Sequence, residues 1–349
     1  MIHYLVTAAG HATITDYLRT RGRALAGRIR PLLYEHLPLV RRLPAGTFVF
    51  ADVERLSPEA ALEAVAVWDA LAAEDGAVRV LNHPTLSMRR FELLRALHEQ
   101  GVNRADVRRV TELRPAARFP VFLRRADDHA GSLSPLLHGQ DELDAAIDRL
   151  TRAGARRDDL LVTEFCDTAD ADGVYRKYAA FRVGDRIVPR HVLFSRDWAV
   201  KIVDRHGPAE VAEELAYVRA NPHRAELMAI FERARIEFGR IDYALLGGRI
   251  QVWEINTNPI LGTFQDGGMP ARAPVLAHVT PALAAAWCAL DDGAGAARSI
   301  MVAPGRTRME HAQRRLRPVV EAVLRAAGLA RWELAVTRRL GLMRRRWTR

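Results

Sequence analysis

Three oxygen-bearing side chains near residue 250 have the types and spacing to hold a hard cation. In RIDYALLGGRIQVWEIN, Asp242 lies early in one apolar run, while Glu254 and Asn256 lie two apart in the next. Gly247-Gly248 between the runs reads as a hairpin turn, because consecutive glycines supply the positive φ angles of a tight two-residue connection. Side chains two apart in a strand share a face. The hairpin is therefore expected to aim two carboxylates and an amide oxygen at one point. That is the all-oxygen donor set magnesium takes when it also binds nucleotide phosphates. A solitary Glu-x-Asn would read as a solvated strand face. Apolar Val252 and Ile255 beside it argue otherwise, since an unpartnered carboxylate among them is costly to bury.

The elements that must position this hairpin alternate along the chain. IHYLVTAAG reads as a strand entering a glycine turn, and TFVFADVERL as a second strand. Ser57-Pro58 caps a helix that continues over residues 60–73. AVRVLNHP is a third strand stopped by Pro84, and Ser87 opens the helix MRRFELLRALHEQ, closed by Gly101. This alternation predicts an open α/β layer built from crossover units. Beyond Pro115, FPVFLRR is a strand, residues 127–134 a polar loop, and DELDAAIDRLTRAG an amphipathic helix. LLVTEFCDT, VYRKYAAFRV and DRIVPRHVLFS are strands, the last two joined by a hairpin at Gly184-Asp185; residues 210–220 and 224–238 read as helices. There is no internal repeat.

IDYALLGGRIQVWEINTNP resembles the closing signature of the ATP-grasp superfamily, in its branch of glutathione-synthetase-like and RimK-like carboxylate-amine ligases. VLNHPTLSMRRFELLRALHEQGVN is similar to that family's Asn-x-Pro loop and following helix, FPVFLRR to its phosphate-binding strand, and LLVTEFCDT to its adenine hinge. The four segments keep the family's order over roughly residues 75–262. The resemblance implies an ATP-grasp fold, mixing α/β and α+β parts. It has a pre-ATP-grasp α/β layer (1–85), a first lobe (86–160), a second lobe with the metal site (161–290), and a linker with a basic helical tail (291–349). It implies that Asp242, Glu254 and Asn256 hold one or two magnesium ions on ATP, and that Glu164, Phe165 and Cys166 line the adenine pocket. Arg90 and Arg124 stand where the family places phosphate-binding lysines, and a planar guanidinium is not equivalent to an ammonium at a migrating phosphoryl group. Lys177 and Arg176 fall near the γ-phosphate, and Arg190 near the acyl phosphate. Lys177 and Lys201 are the only lysines in this arginine-biased chain, which adds Lys201 to the candidate catalytic set. The loop ADDHAGSLS is a candidate lid over the triphosphate, with His129 and Ser132 as donors. The activity implied is ligation of a small-molecule or peptide carboxylate to an amine. A non-catalytic ATP-binding regulator and an ATP-grasp kinase are the alternatives.

The chain has 349 residues and 49% hydrophobic content, enough for two or three modest cores. Cys166 and Cys288 lie far apart without metal-ligand spacing, which fits a cytoplasmic protein without a disulfide framework. The opening residues lack a leader's pattern, and no window is read as apolar enough to span a bilayer. The net charge of +10 is local: residues 306–349 hold thirteen arginines, no lysine and three glutamates, and the rest is formally neutral. Leu316, Val319, Val320, Val323, Leu324 and Leu334 recur there at helical spacing. Such a helix suits docking on the protein itself or an acidic partner, peripheral contact with an anionic membrane, or RNA; homo-oligomerisation also stays open. Deletion after Pro304 is expected to leave ATP binding intact while weakening association with anionic vesicles or RNA. Collapse of ATP binding would instead make the tail part of the fold.

Overall fold

The structure, a computed structural model, describes residues 1–74, 76, 78–112, 118–127, 131–200, 204–261, 270–291 and 298–302. The basic tail, Lys201 and His129 lie outside them. The first sheet is formed from β1 (Ile2–Val6), β2 (Ile29–Leu33), β4 (Gly46–Phe50) and β5 (Val78–Leu81), with β3 (Arg42–Pro44) apart from it; α1 (His11–Arg19) and α2 (Pro58–Ala72) are its crossovers. All its pairings are parallel, in the order β2-β1-β4-β5. Central β1 and β4 are buried at every position, as parallel strands covered on both faces must be. The hydroxyl of Ser57 caps α2 by accepting from the Ala60 N–H at 3.2 Å. The sequence reading had no β2: IRPLL carries Pro31, which breaks the strand pattern but is tolerated on a sheet edge.

The next unit runs α3 (Arg90–Glu99), β6 (Val107–Arg109), β7 (Val121–Arg125), α4 (Gln140–Arg152) and β8 (Leu160–Glu164), its strands antiparallel in the order β6-β8-β7. Val121 and Leu123 alternate inward onto Leu143, Ala146 and Ile147 of α4. Phe122 and Arg124 are thereby sent to the other face.

The third unit holds the hairpin. β9 (Tyr175–Val183), β10 (Arg186–Ser195), α5 (Pro208–Ala220), α6 (Arg224–Ala234), β11 (Phe238–Leu246) and β12 (Arg249–Asn256) form an antiparallel sheet ordered β10-β9-β11-β12, with α5 and α6 against one face. Gly247 and Gly248 turn β11 into β12 at φ +56° and +78°, as the sequence requires. The expected helix over 224–238 is shorter: it stops at Ala234, Arg235 takes φ +54°, and Phe238 already belongs to β11.

Among the other elements not foreseen, two lie near the end of the chain. β13 (Ser299–Met301) pairs antiparallel with β3, returning the chain to the first unit. α7 (Ala273–Leu290) buries Val275 and Val279 in the core beneath the antiparallel sheet, and Leu283, Ala286, Trp287 and Leu290 against Tyr4, Phe181 and Phe238. It thus ties two cores together. Contrary to the sequence expectation, Pro270–Leu290 is long and apolar enough by composition to cross a membrane, yet its Trp287 is fully buried within the protein.

Asn82 is the joint between the first sheet and β11. Its amide nitrogen donates to the carbonyls of Phe50 at 3.2 Å and Phe238 at 2.8 Å, and its Oδ1 accepts from the N–H groups of Glu237 and Phe238 at 2.8 and 2.9 Å. Its φ is +61°, a conformation asparagine tolerates better than most residues. Asn82→Ala is expected to cost about 3 kcal/mol, part from orphaned backbone groups and part from backbone strain. Asn82→Gly should recover the strain part, about 1 kcal/mol. Urea unfolding checks both, and a loss under about 1 kcal/mol for the alanine variant would show that this joint does not hold the units together.

Candidate functional site

In the β11/β12 ladder Asp242 stands directly opposite Glu254, and Arg240 opposite Asn256. Opposed residues share a face, so the three expected ligands and one arginine converge. The register shifts between Asp242 and Tyr243, where Trp253 is the extra residue on β12. Bulges of this kind re-aim side chains, and here Val252 and Tyr243 return to the core on the opposite face. The row extends across the sheet: Asp242 pairs with Ala179 of β9, and Ala179 with His191 of β10.

Each acid in this row is compensated. Arg240 grips Asp242 with two bonds, Nε to Oδ1 at 2.8 Å and Nη2 to Oδ2 at 3.1 Å. Glu254 Oε2 accepts from Arg90 Nη2 and from Arg124 Nη2, the latter at 3.0 Å. Asn256 Oδ1 accepts the N–H of Asn258 at 2.8 Å. Asp242 and Asn256 are buried, and the Glu254 side chain is 13% exposed. Two acidic oxygens at that burial need positive partners, and arginine's fork supplies them. The donor set fits magnesium in chemistry, being two carboxylates and one amide oxygen; among the described residues no cluster of three or more acidic, histidine or cysteine side chains competes with it.

Arg90 and Arg124 reach Glu254 from different elements. Arg90 is the first residue of α3, fixed by Leu93, Leu94 and Leu97 in the core, and its Nη1 also donates to the Arg125 carbonyl at 2.7 Å. Arg124 is on the outward face of β7 and bridges to Ser132 of the loop that follows. Together they bring the proposed phosphate strand to the proposed metal strand.

The adenine-hinge residues are placed differently. Glu164 points its carboxylate to Arg118, accepting at 2.8 and 3.1 Å, and to the N–H of Asp106 at 3.1 Å. The Phe165 N–H is bonded to the Pro120 carbonyl at 2.9 Å. Cys166 is buried, and burial raises its thiol pKa. Trp198 meets Phe122 at a ring distance of 4.8 Å and Phe165 edge-on at 5.8 Å, forming an aromatic wall beside the hinge. Lys177 lies on the same face as Ala179, its Nζ donating to the Val200 carbonyl at 3.2 Å. Arg176 lies on the other face, held by Asp170 at 2.5 Å and Glu213 at 2.7 Å, and so is separated from Lys177. Arg190 is buried at the bulge beside His191. Sequence reasoning missed Arg240, His191 and Trp198. The Arg-x-Asp spacing of 240 and 242 was the available signal for the first.

Between the first sheet, α3 and β12 runs a narrow cleft lined by Glu54, Arg89, Arg90, Asp127, Ile255 and Thr257. It opens at the carboxyl end of β4, where parallel sheets place their ligands. Glu54 reaches Thr257 through its hydroxyl, and the Val53 N–H donates to the same hydroxyl at 3.1 Å.

No protein-family model matches the sequence, and no curated protein does. Among solved structures the chain is similar to ATP-grasp ligases. A D-alanine–D-alanine ligase from Bacillus anthracis has 12% identity and a TM-score of 0.44, with 81% of this chain and 98% of that one covered. A RimK-domain ATP-grasp protein from Sphaerobacter thermophilus has 16% identity and a TM-score of 0.41, with coverages of 80% and 99%. The ATP-grasp ligase PsnB, solved with a minimal precursor, has 12% identity and a TM-score of 0.45, with coverages of 83% and 98%. At these values the roles of residues rest on the geometry of this chain alone.

Glu254→Gln keeps the shape of the site and removes the charge. ATP with magnesium is expected to raise the melting temperature of the unaltered protein and to leave that of the variant unchanged. Without ligand, the variant should also lose on the order of 2 kcal/mol, because Arg90 and Arg124 lose the charged acceptor they share. A normal ligand-induced rise in the variant would remove Glu254 from the metal assignment.

Proposed function

We propose that this chain is an ATP-grasp enzyme that binds ATP with magnesium and joins a carboxylate to an amine through an acyl phosphate. The observation that carries the reading is the meeting of Arg90 and Arg124 with Glu254, on the face that also holds Asp242 and Asn256. Anion-binding and cation-binding groups thus adjoin, as the phosphates and metal of one ligand require. Asp242, Glu254 and Asn256 would hold magnesium, which when bound neutralises charge on the transferring phosphoryl group. Arg90 and Arg124 would turn from Glu254 to the triphosphate. Glu164, Phe165 and Cys166 would border the base, with the aromatic wall at Trp198 completing an apolar slot.

In the reaction a substrate carboxylate oxygen attacks the γ-phosphorus, the bond to the β,γ-bridging oxygen breaks, and ADP leaves. The amine nitrogen then attacks the acyl carbon, gives up a proton, and inorganic phosphate departs with the oxygen it shared. Arg240, Lys177 and Arg190 would offset the charge that gathers at the reacting centre. No covalent bond to the protein is needed, and positioning supplies most of the acceleration.

ADP release across pooled carboxylates and amines, with mass detection of products, tests this. The expected result is ADP formation that requires both pools and yields an amide. ADP with a phosphorylated hydroxyl product would establish a kinase instead. Nucleotide binding without turnover in any pool would favour a regulatory ATP-binding protein.

A further inference from the structure

Leu62 of α2 is 68% exposed, the most of any large apolar side chain among the described residues. Ala66 and Ala73 follow it along the same side of the helix and are exposed as well, with Ala70 half-buried between them. Glu59, Glu63 and Asp69 flank this stripe, and Pro58–Ala72 contains no lysine or arginine. A helix on a sheet ordinarily turns charged side chains outward. Here the outward stripe is apolar with an acidic margin. The β3/β13 ribbon lies on the same side of the first sheet, since its Leu43 and Ile300 share a core with Ala61, Ala64 and Val67 of α2. Next to Ile300, Met301 turns outward and is 65% exposed. Apolar surface that adjoins in this way marks a place of contact.

The described residues end at this same place. Arg298 meets Glu74, two residues past α2, at 2.5 Å, so β13 starts beside the carboxyl end of that helix. Val302, the last described residue, is buried in the core that α2 helps to form. The sequence that follows has the complementary composition. Val319, Val320, Val323 and Leu324 recur at helical spacing after Pro318, and Arg314, Arg315 and Arg317 come just before them. Fifteen residues separate Val302 from Pro318. That number measures about 22 Å wound as a helix and about 50 Å fully extended, against about 22 Å for the whole of α2. Either length brings the run onto the helix. A segment tethered so closely meets its surface at an effective concentration near the millimolar range, so a weak contact holds it. The acidic margin of α2 attracts the arginines and repels an anionic membrane or RNA, which singles out this chain's own tail as the occupant.

We propose that residues 314–327 dock on the outward face of α2, with Val319, Val320, Val323 and Leu324 against Leu62 and Ala66 and the three arginines against Glu59 and Glu63. Docking closes the outer side of the first unit and makes α2 compete with any acidic partner for the same arginines. The contact is independent of the nucleotide reading.

Hydrogen exchange on the full chain, read by mass spectrometry on peptides covering 314–327, tests this. Amides of 319–327 are expected to exchange at least tenfold more slowly than in a free peptide of the same sequence, equally at low and high protein concentration. Leu62→Arg, a surface change, should abolish that slowing while exchange at Ala64 and Val67 stays unaltered, which shows that α2 is still folded. Glu59→Arg with Glu63→Arg should weaken the slowing, and adding Arg314→Glu, Arg315→Glu and Arg317→Glu should recover it. Exchange as fast as in the free peptide, slowing that persists in Leu62→Arg, or no recovery in the reversed set would overturn the proposal. Slowing that grows with protein concentration would make a second copy the occupant and overturn it too, as would slowing that appears only with anionic vesicles or RNA.

Discussion

Burying the carboxylate of Glu254 on a nearly closed sheet face calls for the charges of Arg90 and Arg124, and this one requirement fixes how two units meet. Arg90 belongs to a helix whose leucines share the core of the antiparallel sheet, while Arg124 belongs to a strand with a core of its own. Arg124 could not reach Glu254 if β7 were shifted by one residue, because the alternation that buries Val121 and Leu123 also aims Arg124. Packing of one sheet thus determines the electrostatics of another.

The first sheet is held to this assembly by other means. Asn82 bridges its edge region to the start of β11, and α7 runs from the core beneath the antiparallel sheet to the core shared with β1 and β4. Trp287 illustrates the second contact, packing on Phe238 at a ring distance of 4.9 Å and on Tyr4 at 6.1 Å. Since Phe238 begins the strand that carries Arg240 and Asp242, the depth of one aromatic cluster influences where the site's arginine and acid stand. The cleft at Glu54 and Thr257 lies along the same seam.

Much of this was legible from residue order. The Gly247-Gly248 turn and the two-residue spacing of Glu254 and Asn256 specify a hairpin with one polar face, and the structure has it. Less visible was what the hairpin's neighbours do. Arg240 and His191 acquire meaning only through cross-strand register, which depends on bulges at Asp242 and Pro189 that no local pattern announces. β2 was hidden by its proline, and α7 by an apolar composition whose partners lie nearly the whole chain away. At the hinge, Glu164 was read with Phe165 and Cys166 as lining a base pocket, and what the sequence did not show is that its carboxylate meets Arg118. Sequence order gave the strand but not the direction its side chain would favour.

Charge balance explains why arginine can stand where a lysine would be expected. Without ligand, Arg90, Arg124 and Arg240 satisfy Glu254 and Asp242, so the group is nearly neutral while buried. A magnesium–triphosphate complex is a net anion carrying its own cation. If such a complex binds as proposed, the carboxylates would pass to the metal and the arginines to the phosphates, each buried charge exchanging one partner for another. A guanidinium suits this exchange because its planar fork can bond a carboxylate or a phosphate with two parallel N–H groups. A lysine's compact ammonium would follow a migrating phosphoryl group more readily, but it would cover Glu254 less completely beforehand. On the proposed ligase reading the arginines would favour a stable ligand-free site over an agile one, and the burden of tracking the reacting phosphoryl group would fall to Lys177, which lies on the same face and donates to the Val200 carbonyl.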